Sequence, residues 1–266
     1  MNTSTPSRYS FDNDDPEAVD RHSYLSEMND PFTFDRLSRL GPLTGWRCLE
    51  VGAGGGSVAR WLADQVGPAG RVLATDLKPG HLAEDAKYAV LQHDLRFEPV
   101  PDGPWDLIHA RLVLLHIAER REIVSRLVKS LAPGGYLVLE DMASSQRRLV
   151  LDSPDEATTQ LVEEYQDALL RILPTRGSDP RWAENTYRVM REEGLVDVTT
   201  EIRSDSWPGG TAGTRLILAN IAQLRAEFEA EGFGPDRIER LYAAMEDPRV
   251  AVRSHYIYST VGRQPS

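Results

Sequence analysis

The chain has 266 residues, a formal net charge of −11 and a single cysteine, Cys48. That acidity argues against broad binding to a nucleic-acid backbone, and one cysteine excludes an intrachain disulfide. No run of about 18 apolar residues is present to span a bilayer, and the N-terminus is polar and acidic instead of resembling a signal sequence. The expectation is a soluble, cytoplasmic protein with core enough for one α/β domain and an appended lid.

Residues 1 to about 20 have the polar composition of a tail. Yet Tyr9, Phe11, His22, Tyr24, Met28, Phe32 and Phe34 recur through this segment and its continuation. Two readings stand side by side: the segment folds over a ligand pocket, or its aromatics anchor it to the core. From Asp35 to Leu40 the pattern turns helical, and Gly41 and Pro42 stop it. Residues 1–40 thus form an N-terminal extension and helix, a candidate lid on the first of these readings, and residues 41–266 hold the remaining domain.

Next comes LEVGAGGGSVARWLA, Leu49 to Ala63, a buried strand joined to an amphipathic helix through glycines. Gly52, Gly54 and Gly56 alternate through the turn, where a missing Cβ permits φ > 0 and close ligand approach. Val58, Trp61, Leu62 and Val66 then fall on one helical face. A dinucleotide fingerprint also joins a strand to a helix, but its third glycine position holds Ser57 here. Glu50, two positions before the first glycine, disfavours a pyrophosphate and suits a ligand carrying an ammonium and a sulfonium. A carboxylate on a buried strand costs several kcal/mol unless something pairs with it.

Further elements follow in order. RVLATD, Arg71 to Asp76, is a second strand ending in an acid about 20 residues past the loop, where a Rossmann-type fold holds ribose hydroxyls. AVLQHD, Ala89 to Asp94, reads as a third strand. A fourth starts at Trp105 and runs toward His116, and LAPGGYLVLED, Leu131 to Asp141, supplies a Pro-Gly-Gly turn and a fifth strand.

Together these motifs resemble class I S-adenosylmethionine-dependent methyltransferases of the small-molecule type, over roughly residues 46 to 141. The front half is similar to quinone-modifying and bacterial secondary-metabolite members. The resemblance implies a Rossmann-like, mainly parallel seven-stranded sheet with helices on both faces, its last strand antiparallel. It implies S-adenosyl-L-methionine as cofactor, held by Glu50, Gly52, Ala53, Gly54, Gly56 and Ser57, with Asp76 and Leu77 at the ribose. It places Asp94 and Leu95 at the adenine, adds Ala110 and Arg111 to the cofactor contacts, and casts His116, just after the fourth strand, as a candidate base facing the acceptor.

Beyond Asp141 a helical insertion at about 145–195 is expected on the acceptor side. Ser153-Pro154-Asp155-Glu156 has capping-box spacing, with Pro154 at the first helical position. The helix it opens should end before Pro174, and a second should run from Asp179-Pro180 to near Gly194. A strand over Val196 to Ile202 follows, then helices at about Ala212 to Ala230 and Asp236 to Met245, then a last strand over Val252 to Val261. Tyr24, Trp182, Trp207 and Tyr256 are candidate substrate contacts, with core packing as the competing reading.

The six histidines show no metal-ligand spacing, and no nucleophile elbow occurs. The sequence therefore favours S-adenosylmethionine-dependent methyl transfer to a small organic acceptor through oxygen, nitrogen or carbon. An NAD-dependent oxidoreductase and an S-adenosylmethionine-binding protein without transfer are the alternatives.

Overall fold

A computed structural model of the chain describes residues 18–82 and 87–266. Tyr9 and Phe11 lie outside the described residues. The main sheet forms from β1 (Arg47–Val51), β2 (Arg71–Asp76), β3 (Ala89–Gln92), β4 (Trp105–Arg111), β5 (Leu131–Ala143), β7 (Val196–Arg203) and β10 (Tyr256–Arg263). Its order is β3-β2-β1-β4-β5-β10-β7. The pairs from β3 through β5 are parallel, whereas β10 runs antiparallel to both neighbours. The strand order reverses at β1, between β2 and β4, which is where open α/β sheets bind ligands at their carboxyl ends.

Helices cover both faces. α2 (Ser57–Val66) buries Val58, Leu62 and Val66 against Cys48 and Val72, while α1 (Ala18–Ser38) adds Leu37 to the same core. On the other face α3 (Arg120–Lys129) and α5 (Thr186–Glu192) pack on Leu49, Ile108 and Leu137. Cys48 is fully buried, and its thiol is pushed up by that burial, so it is a packing residue.

A third core forms a cap. It contains α4 (Glu156–Thr175), α6 (Ala212–Gln223), α7 (Arg225–Ala230) and α8 (Pro235–Glu246), packed around Tyr165, Phe228 and Phe233. A small sheet, β6 (Val150–Asp152), β9 (Ala251–Arg253) and β8 (Ser206–Pro208) in that order, joins them. The cap thus draws on two stretches of chain, on either side of β7. Of the 145–195 stretch, β6 and α4 join it, whereas the turn at Trp182–Asn185 and α5 lie against the main sheet.

Several boundaries differ from the sequence reading, each for a local reason. α1 already includes Ala18, well before Asp35; its buried residues mix the polar Arg21, Asn29, Thr33 and Arg36 with Phe32 and Leu37, so apolar periodicity alone does not reveal it. Asp155, not Ser153, caps α4: its carboxylate accepts the Thr158 N–H at 2.7 Å, and Pro174 sits inside the last turn. The helix expected over 212–230 breaks at Leu224, which is fully buried, and Phe228 of α7 then stacks on Tyr165 with ring centroids 5.3 Å apart. The last strand splits at Ser254, whose hydroxyl accepts the Asp205 N–H at 2.9 Å, so β9 and β10 belong to different sheets.

Candidate functional site

Gly52, Gly54 and Gly56 all adopt left-handed backbone, with φ of 65°, 52° and 76°. This alternation curls the chain from β1 into α2 and turns the loop's amides toward the strand ends. Asp76, at the end of β2, braces the loop: its carboxylate accepts the Gly54 N–H and the Lys78 N–H, each at 2.9 Å. A Cβ on Gly54 would lie 2.9 Å from the His22 imidazole of α1, and one on Gly56 2.8 Å from the Tyr88 hydroxyl. The left-handed φ at both positions calls for glycine, and these side chains would also have to move to admit a Cβ.

Behind the loop lies a buried charged group. Glu50 and His109 are register partners on β1 and β4, and His109 Nδ1 donates to Glu50 Oε2 at 2.6 Å. His109 Nε2 faces Glu140 of β5 at 3.4 Å, and all three side chains are within 3% of full burial. Burial opposes charge on His109, but the two carboxylates outweigh it and hold its pKa at about 9. Glu140 is held below its ordinary value: burial opposes its charge, but the hydrogen bond and charge of His109, with Arg111 and Thr33, together outweigh it. The partner that the acid on β1 requires is thus an imidazolium flanked by a second acid.

α1 ties into this group from outside. Thr33 donates to Glu140 Oε2, and Arg111, the last residue of β4, donates to Thr33 Oγ1 at 2.9 Å and Asp30 Oδ1 at 2.8 Å. Ser57, the first residue of α2, donates to the same Asp30 oxygen at 3.0 Å.

Glu50, Gly52, Ala53, Gly54, Gly56, Ser57 and Asp76 therefore converge at the ends of β1 and β2, with Ala110 and Arg111 on adjacent β4. Leu77 is exposed just past β2. Asp94 and Leu95 lie beyond β3: Asp94 is held below its ordinary range by its hydrogen bond with Arg96, and Leu95 is buried in the core under α3. His116 ends a short turn after β4, nearly buried, with Nδ1 2.8 Å from Ser178 Oγ. Burial, and then the positive charge of Arg21 and Arg120, push its pKa to about 3. The resemblance cast it as a base, whereas this environment makes it a weak one.

The candidate substrate aromatics do not gather in one wall. Trp182 is buried under the sheet, where Nε1 donates to Asp141 Oδ2 at 3.0 Å. Tyr24 of α1 packs against the cap core, and Tyr256 lies under the Arg253 guanidinium. Trp207 lines a small pocket with Met28, Phe32, Met142, His255 and Ile257, between α1 and the ends of β5 and β10. His255 sits there neutral, its pKa pushed to about 4 by burial and then by Arg253. No group of three or more metal-ligating side chains occurs among the described residues.

His109, Glu140, Asp30 and Thr33 were missed from sequence. The signal for Glu140 was there: an acid ending the apolar run LVLE has the same need for a partner as Glu50.

Comparison with known proteins bears on this geometry. A family model described as a methyltransferase domain matches residues 24–177. Methyltransferase str2 of Strobilurus tenacellus is 30% identical over 183 residues, which is 67% of this chain and 63% of that protein. Methyltransferase GfsG of Streptomyces halstedii is 26% identical over 159 residues, 57% of this chain and 54% of its own length. The chain thus spans less than two thirds of these relatives. Among solved structures, phosphoethanolamine N-methyltransferase 2 of Haemonchus contortus, in complex with phosphomonomethylethanolamine and S-adenosylhomocysteine, superposes with a TM-score of 0.56. At 17% identity over 96% of this chain and 59% of that one, the likeness is one of fold.

Proposed function

The chain belongs to the methyltransferase domain family, and on that premise we propose that it transfers the methyl group of S-adenosylmethionine to a small organic acceptor. The observation that carries this reading is the left-handed glycine loop set between the Glu50 and Asp76 carboxylates. It leaves Cβ-free backbone beside two acids at the switch point of the sheet, which suits a ligand with a cationic end and a ribose. Glu50, the glycines and Ser57 would hold the amino-acid end, and Asp76 and Leu77 the ribose. Asp94 and Leu95 are proposed at the adenine, where Asp94 must share its carboxylate with Arg96.

When bound, the cofactor supplies a methyl on a sulfonium, an activated group with a good leaving group. The chain's own contribution is then chiefly orientation and exclusion of water. α1 crosses the loop, and the cap closes the acceptor side: Arg21 Nε of α1 donates to Asn220 Oδ1 of α6 at 3.1 Å. Trp207, which lines the small pocket beneath the cap, is proposed to contact the acceptor together with Tyr24 and Tyr256, whereas Trp182 supports β5 from beneath.

The test is calorimetry followed by label transfer. S-adenosylhomocysteine should bind and NAD should give no heat, and label from methyl-labelled S-adenosylmethionine should appear on members of a panel of phenols, quinols and amines. NAD binding without any response to the sulfur compounds would overturn the assignment, and cofactor binding with no transfer to any acceptor would favour a binding protein.

His116 is proposed to face the acceptor as a neutral imidazole. With its pKa pushed to about 3, the turnover profile should show no histidine step near the ordinary value of 6.5. If it nevertheless takes a proton, His116→Ala should lower saturated turnover about 10²-fold with cofactor affinity intact. Unchanged turnover in the folded variant would leave it a packing residue for Ser178.

No helix among the described residues is long and apolar enough to cross a membrane. We place the protein in the cytoplasm, acting on a small molecule with no nucleic-acid or membrane partner. The net charge of −11 and the absence of any disulfide-forming pair support that placement.

A further inference from the structure

We propose that Arg111 and Asp30 are positioning residues: together they pin α1 across the glycine loop and so govern how long the cofactor stays bound. The inference rests on the function proposed above and assigns Arg111 a task other than direct cofactor contact.

One guanidinium joins three parts of the site. Arg111 closes β4, and its two terminal nitrogens reach separate acceptors on α1, Asp30 Oδ1 at 2.8 Å and Thr33 Oγ1 at 2.9 Å. Asp30 in turn takes the Ser57 hydroxyl at 3.0 Å, which fixes α1 to the helix that the loop opens into. Thr33 donates to Glu140, so the same residues reach the imidazolium that holds Glu50. The Arg111–Asp30 pair is nine-tenths and four-fifths shielded, 10% and 19% exposed, where a charge-assisted bond is little screened by salt. Two acceptors in different directions call for a planar fork, which lysine lacks.

The consequence follows from helix geometry. His22, Ser26, Asp30 and Thr33 recur at spacings of four and three, hence on one face of α1. Ser26 meets Ser57 at 3.2 Å, and the His22 ring lies close against Gly54 and Gly55. Holding α1 down at Asp30 therefore holds His22 over the loop. On this proposal a ligand leaves past this face when α1 lifts, and lifting breaks the Arg111 bonds together with those of Asp30 and Ser26 to Ser57 and of Thr33 to Glu140.

Asp30→Asn, Arg111→Gln and the double variant test this by two measurements. One is stopped-flow release of S-adenosylhomocysteine, and the other is hydrogen exchange of residues 18–38 in the free protein. Each single variant should release S-adenosylhomocysteine about 10-fold faster and exchange α1 faster, with exchange of β1 and β4 unchanged. The double variant should fall well short of the product of the two single effects, because both changes break the Arg111–Asp30 bond and each weakens only one bond of its own, Arg111 to Thr33 or Ser57 to Asp30. Wild-type rates in the single variants, or effects that multiply in the double one, would overturn the proposal. So would exchange that quickens equally in β1 and β4, which marks general destabilisation. If the wild type binds no S-adenosylhomocysteine, the proposed function fails, and the α1 exchange alone decides the pinning role.

Discussion

Glu50→Ala should cost about 3–5 kcal/mol of folding stability, the usual penalty for removing one partner of a buried ion pair. The charge left behind is His109, fully buried between β1 and β5 and deprived of its 2.6 Å partner. The same group makes wild-type stability depend on pH in a definite direction. His109 titrates near 6.5 when unfolded and about 9 when folded, so its stabilisation is complete below 6.5 and fades as pH rises through 9. A shift of that size corresponds to about 3 kcal/mol. Glu140 works in the opposite sense: held below its ordinary 4.5, it contributes above that value and its contribution is lost on acidification. Urea unfolding at pH 6 and pH 9.5 checks the statement about His109. The wild type should lose stability over that interval, and Glu50→Gln, which removes the charge and keeps the shape, should flatten the dependence. Equal pH slopes in the wild type and Glu50→Gln would mean that His109 is neutral in the folded chain and that the pair is an ordinary hydrogen bond.

The buried trio also explains which parts of the site the sequence exposes to reading. Glu50 stands out because an acid interrupts an otherwise apolar strand beside glycines, and the cost of burying it demands a partner. The partner is 59 residues away and becomes its neighbour only when β4 pairs with β1. Motif spacing cannot supply that adjacency; parallel pairing does. The strands and the loop read well because apolar runs, glycines and terminal acids are local features. α1 reads poorly because its buried face mixes Phe32 and Leu37 with the polar Asn29, Thr33 and Arg36, and because Pro31 sits inside the helix, where a proline ordinarily marks a break. The cap reads only as separate helices, since its core joins residues on both sides of β7. Trp182 shows the remaining difficulty: an aromatic beyond the fifth strand suits a pocket wall and a core equally, and only its bond to Asp141 decides for the core.

Gly54→Val should lower affinity for S-adenosylhomocysteine about 10²-fold or more in a chain that still folds, and two separate costs add to give that loss. A β-branched residue at φ 52° is a backbone outlier, with strain of order 1–3 kcal/mol. Its Cβ also meets the His22 ring at 2.9 Å, so either the loop shifts or α1 rises. If the loop shifts, the Gly54 N–H leaves Asp76 Oδ2, and the carboxylate proposed to hold the ribose loses its brace. The two costs separate experimentally. Gly54→Ala keeps a milder strain and the same Cβ contact, and adding His22→Ala removes the contact alone. Affinity should therefore recover in part in the Gly54→Ala/His22→Ala pair and remain below wild type by the backbone share, as read by calorimetric titration. Full recovery would assign the whole effect to crowding beneath α1, and no recovery would assign it to backbone strain. Undiminished affinity in folded Gly54→Val would remove the glycine loop from the cofactor site altogether, since neither the left-handed turn nor the close approach of His22 tolerates a branched side chain at that position.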